Sequence, residues 1–180
     1  MEAPPPPVVR TQVLQPQWNL VGWTGETIDV TDATATIAAS LGAFFTWDTS
    51  IPGFLTFNPT LPGPLNSLQE VPFGAGVWTF IDGATPLDWE QPAFSEARSV
   101  SLAQGFNLAM WTGPDGTSIT DAIAGLDGVQ GLFIWDAAAR TFLTFNPILP
   151  PALNTATTLN HGFGVWVLMA NAGIWDQPAG

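Results

Sequence analysis

Residues 54–59 read Phe-Leu-Thr-Phe-Asn-Pro, and the same six residues return at 142–147, 88 positions later. The same interval pairs Trp23 with Trp111, Trp47-Asp48 with Trp135-Asp136, Asn66 with Asn154, and Gly74-x-Gly76-Val77-Trp78 with Gly162-x-Gly164-Val165-Trp166. A chain of 180 residues that repeats itself at this period is expected to fold as two like modules of roughly 75 residues each. Residues needed for folding should recur in both copies, whereas a single catalytic centre needs to occur in only one.

Modules this small bury little surface, and no cysteine is present to cross-link them. Nine Trp and twelve Phe compensate, each large ring removing roughly 150–250 Å² from water. Fifteen acids face three bases, Arg10, Arg98 and Arg140, for a net charge of −12. Nucleic acid is therefore not an expected partner, and neither is an anionic membrane surface, because both are held by Lys and Arg. The absence of lysine removes Schiff-base chemistry and the P-loop. Without cysteine, and with His161 as the one histidine, no ordinary zinc set exists, and neither a metal nor a cofactor is expected. No apolar run is long enough to cross a bilayer. The Met-Glu-Ala-Pro-Pro-Pro-Pro start lacks the basic and apolar segments of a signal peptide. Low charge with 18 Gly and 17 Pro suits a β-rich fold with many turns.

Residues 1–16 read as a Pro-rich extended arm, with polyproline II expected at 4–7 and strand composition at Val8, Val9, Val13 and Leu14. The arm stands outside the repeat. It is either a linker, a strand of the chain's own first module, or an assembly arm that adds to a neighbour's sheet edge. Module one then covers 17–93, a joint covers 94–105, and module two covers 106–180; residues 99–102 of the joint match 12–14 of the arm. Each module is expected to hold an opening strand (18–23 or 106–111) and a short helix capped by Thr or Asp that runs to about Leu41 or Leu126. A hairpin follows (43–48 with 54–59, or 131–136 with 142–147), then a Pro-rich connection and a strand at 77–81 or 165–169. The fold class is mainly β: two tandem homologous β-rich modules, sandwich or barrel-like, with one short helix each. Recurrence assigns Trp23, Trp47, Phe57, Trp78, Trp111, Trp135, Phe145 and Trp166 to the core.

The order Trp18-Asn19-Leu20-Val21-Gly22-Trp23, then Trp47-Asp48, then Leu65-Asn66, then Gly74-x-Gly76-Val77-Trp78 resembles the "GWNL…GxGxWV" modules of secreted and surface proteins of bacteria and archaea. The resemblance covers most of 18–93 and 106–179. It implies an extracellular, β-rich accessory or structural module and brings no catalytic residue. Gln17 and Gly105 stand where that family's first glycine is expected, so only the second copy keeps it.

Few residues could carry chemistry. His161 is matched by Phe73 and reads as a turn or surface residue. Carboxylates recur at Asp32/Asp121, Asp48/Asp136 and Glu90/Asp176, but duplicated acids would sit in separate modules and not face one glycosidic bond; Asp48 and Asp136 read as hairpin-turn residues. Calcium would suit such oxygens, yet no dense Asp-x-Asp loop is present. The glycines of Gly74-Ala75-Gly76 and Gly162-Phe163-Gly164 suit a close approach of backbones better than a dinucleotide fingerprint. The expectation is a non-enzymatic extracellular or cell-surface protein of structural or interaction type, in a surface layer, in adhesion or in a self-assembling filament. Its partners would be further copies or other surface proteins. The alternative is a carbohydrate-binding module, with Trp89, Trp175, Gln91 and Gln177 as candidate polysaccharide contacts.

Overall fold

The computed structural model describes residues 9–180, so the proline run at 4–7 and Val8 lie outside the described residues. The first module comprises β1 (Val9–Leu14), β2 (Gln17–Gly22), β3 (Ile28–Asp29), the helical turn α1 (Val30–Ala33), β4 (Leu41–Asp48), β5 (Gly53–Phe57), β6 (Glu70–Val71), β7 (Gly76–Ile81) and β8 (Leu87–Pro92). The second repeats these elements in order: β9 (Arg98–Leu102), β10 (Gly105–Met110), β11 (Thr117–Ser118), α2 (Ile119–Ala122), β12 (Val129–Asp136), β13 (Thr141–Phe145), β14 (Thr158–Leu159), β15 (Gly164–Met169) and β16 (Gly173–Gln177).

Each module is mainly β. A four-stranded antiparallel sheet, ordered β2-β7-β4-β5 or β10-β15-β12-β13, is accompanied by a two-stranded ribbon, β1-β8 or β9-β16, and a short pair, β3-β6 or β11-β14. The registers repeat as the sequence does: Leu20 faces Trp78 and Leu108 faces Trp166, with a register shift at Leu41/Ala43 and again at Val129/Gly131. Neither four-stranded sheet closes into a barrel.

The arm enters this scheme as a module strand. Residues Val9 to Leu14 pair with β8 along their whole length, as β9 pairs with β16. The repeat therefore includes this strand, and residues 98–102 of the joint are the second copy of Arg10 to Leu14. Leu14, expected as an assembly contact, is fully buried in the core, while Val9 and Val13 face solvent from a strand already paired within its own chain.

The first core draws Leu14 and Trp89 from the ribbon, Val30 and Ala33 from α1, and Val21, Phe44, Phe57 and Val77 from one face of the sheet; the second core repeats the plan. Trp89 and Trp175 are its keystones. Their rings stack on Trp23 and Trp111 at 5.7 and 5.5 Å, and their indole N–H groups donate to Ala33 O and Ala122 O at 3.0 and 2.7 Å. Gln91 and Gln177 are equally enclosed. Their Oε1 atoms accept from the backbone N–H and the hydroxyl of Thr24 and Thr112, respectively. These four residues, the candidate polysaccharide contacts, thus serve the interior and offer nothing to a glycan.

Local chemistry explains other recurrent residues. Asn19 and Asn107 clamp the turn before their strands, each Oδ1 accepting from the N–H of residue 15 or 103 and each amide donating to the carbonyl of that same residue. Asn66 and Asn154 tie the Pro-rich connection to the strand end by accepting from the N–H groups of Asn58 and Asn146. The expected helices shrink to four residues each. Asp29 caps α1 by accepting from Thr31 N–H, and Ser118 caps α2 by accepting from Asp121 N–H. After α2 the chain turns left-handed at Gly125 (φ 84°), which a helix cannot follow.

The position that holds glycine in only one copy is left-handed in both, with φ 75° at Gln17 and 89° at Gly105. A Cβ is disfavoured there. Gln17→Gly is expected to raise stability by about 1 kcal/mol, read as a higher urea midpoint; a lower midpoint would mean that the Gln17 side chain contributes more than its backbone strain costs.

Candidate functional site

Strand alternation puts Val77, Thr79 and Ile81 of β7 inside and turns Trp78 and Phe80 outward; on β4, Phe44 and Thr46 point in and Phe45 and Trp47 point out. Both faces of the sheet are therefore apolar. Trp47, Trp78, Trp135 and Trp166, expected in the core, instead stand on these outer faces and are half-buried. Trp23, Trp111 and Phe57 are buried as expected, and Phe145 packs partly buried against the second core.

The outer faces of the two modules meet across a pseudo-two-fold axis. Gly22 N–H donates to Gly162 O at 2.7 Å, and its symmetry mate Met110 N–H donates to Gly74 O at 2.9 Å. Bridges Val21↔Phe163 and Ala75↔Ala109 obey the same symmetry. The repeated glycines allow this contact: a Cβ on Gly164 would lie 2.6 Å from Val21 O, and one on Gly76 would lie 3.0 Å from Ala109 O. Arginines flank the seam. Arg10 Nη2 donates to His161 O at 2.5 Å with Asp115 3.9 Å away, while Arg98 lies over the Phe73 ring at 4.5 Å, and burial lowers the pKa of that guanidinium. His161 is buried in the same seam, with its Nδ1 2.7 Å from Thr112 O, and is not the surface residue expected.

Beside the seam the sheets diverge into an open aromatic groove with two halves. One, of about 500 Å³, is walled by Trp18, Phe45, Phe54, Trp78, Trp135 and Phe142, with Thr56 as the polar member. The other, of about 330 Å³, is walled by the symmetry mates Phe106, Phe133, Phe142, Trp166, Trp47 and Phe54. Phe54 and Phe142 belong to both halves and mark the axis. The rings brace one another edge-to-face, Trp47 on Trp166 at 5.4 Å and Trp78 on Trp135 at 5.5 Å. Even so, Phe54 and Phe106 keep 48 % of their surface in water. So many exposed rings converging on one face are uncommon on a solvent-facing sheet. Trp135 Nε1–H donates to Trp18 O at 2.9 Å, whereas its mate Trp47 Nε1–H is enclosed without an acceptor among the described residues.

The carboxylates lie elsewhere and do turn chemistry. Asp48 Oδ1 accepts from the Ser50 hydroxyl and backbone N–H, which together hold its pKa below the ordinary carboxylate value; Asp136 Oδ1 accepts from Ala138 and Ala139 N–H. A carboxyl held in its ionised form is a poor proton donor. Among the described residues no three His, Cys, Asp or Glu side chains converge as metal ligands would, and no helix is long and apolar enough to cross a membrane. No family model matches the chain, and no curated protein or solved structure matches it either.

Recurrence alone does not reveal Trp18, Phe45, Phe54, Phe106, Phe133 and Phe142 as groove residues. The signal that was present is the neighbouring pair Phe44-Phe45, which gives one ring to each face of β4.

Proposed function

We propose that this chain is a non-enzymatic interaction module of an extracellular or cell-surface assembly, and that the aromatic groove on its pseudo-two-fold axis is where an extended apolar ligand docks. The observation that carries the reading is the groove itself: ten Trp and Phe rings from both modules line one open depression, joined among the described residues only by the side chain of Thr56. An apolar ligand gains from every ring it covers. A polysaccharide would bring many hydroxyls to walls with almost nothing to pair them, which costs free energy for each one left dry. The acidic, lysine-free surface and the ordered Trp-Asn-Leu and Gly-x-Gly motifs support the extracellular assignment.

The neutral apolar dye Nile red tests the groove. The chain is expected to bind it with a fluorescence increase, and the double variant Phe54→Ser/Phe142→Ser to bind at least tenfold more weakly with its thermal midpoint nearly unchanged, since both rings are substantially exposed. Equal dye affinity in the folded double variant would remove the groove as the site.

A further inference from the structure

We propose that the groove's occupant is the four-proline run at residues 4–7 of a neighbouring copy of this chain, so that copies join head to tail. The proposal rests on the reading of the groove as a docking site and names its partner.

Hydrogen-bonding capacity selects the ligand. An ordinary peptide laid on these rings would bury backbone N–H groups opposite walls that offer almost no acceptor. A proline run has no N–H to bury and presents carbonyls only. The wall holds a matching donor in the Thr56 hydroxyl. Proline rings are flat, apolar and conformationally restricted, so packing them between aromatic rings costs little ordering entropy.

Geometry selects a neighbour over the same chain. The turn at Gln15-Pro16 brings Leu14 beside the Trp18 end of β2, where the groove lies, and places Val9 at the opposite end, across from Pro92 and near Thr24. The strand between spans about 20 Å. The proline run precedes Val9, and Val9 pairs with Pro92 at that far end of the strand. A second groove is no better occupant, because two concave faces on a two-fold axis leave the depression unfilled. Arm into groove is a heterologous contact and propagates into a ring or an open fibre.

Sedimentation velocity on the full chain supplies the test. The weight-average mass is expected to rise with concentration. It should stay that of one chain both when Pro4, Pro5, Pro6 and Pro7 are together changed to Ser and in Phe54→Ser/Phe142→Ser. A synthetic peptide of residues 1–8 should quench the tryptophan emission of the four-serine variant and lose at least tenfold in affinity for the groove variant. A wild-type chain that remains single at every concentration, or assembly that survives the four serines, overturns the proposal. If the four-serine variant binds Nile red but not the peptide, the groove reading stands and the proline assignment falls. If it binds neither, both fall.

Discussion

Trp89→Ala is expected to lower stability by about 3–5 kcal/mol, in the range measured when a large buried ring is cut back to a methyl. The side chain is wholly enclosed, stacked on Trp23, edge-on to Phe44 at 5.9 Å and hydrogen-bonded to Ala33 O. Removing it leaves a cavity at the point where ribbon, helical turn and sheet converge, and it strands a buried carbonyl. With a urea m-value on the order of 2 kcal/mol/M, the midpoint should fall by roughly 2 M. Trp89→Phe should cost less, because it keeps most of the packing and loses the N–H donor. Phe54→Ala, on the groove, should move the midpoint little. An order in which Phe54→Ala is the more damaging would show that core and surface have been assigned the wrong way round.

The second large effect lies at the seam. Gly164→Val would place a branched side chain against the Val21 backbone, with O, C and N all within 2.9 Å of the first added carbon. Backbone atoms of a paired strand cannot rotate aside as a side chain can, so the modules must separate or both strands must deform. A loss of about 3 kcal/mol or more is expected. It should be accompanied by red-shifted, more quencher-accessible tryptophan emission as Trp47 and Trp135 lose their partners across the seam. Gly83→Ala is the control, since nothing lies within 4 Å of the carbon it adds. Emission unchanged in a folded Gly164→Val protein would show that the seam is not closed around this glycine.

Much of the module could be read from the residues: two copies, the opening strand, the hairpin, the close glycine approaches and the buried Trp23 and Trp111. Recurrence points to the interior, yet a residue repeated in two copies also recurs when it sits at a contact between those copies, because a two-fold axis presents the same surface twice. Trp47, Trp78, Trp135 and Trp166 belong to that second class. Trp89 and Trp175 depart from expectation in the opposite direction, being fully buried. Their polar neighbours Glu90 and Asp176 are exposed, but strand alternation turns every second residue inward, so a tryptophan beside an acid can be the most buried residue of its module. The groove was the least legible part, since it depends on how two sheets diverge and no single segment encodes that.

The seam has a consequence for how such a pair can change. Two like modules related by a two-fold axis are a dimer, and joining them in one chain makes that dimer proof against dilution. It also frees the halves from identity. Asp115 stands near Arg10, while the equivalent place near Arg98 is held by Thr27; His161 is answered by Phe73, and Trp18 by Phe106. A homodimer could vary each of these positions only in pairs, whereas a fused one can give its groove two unequal ends and so tell one direction of a ligand from the other.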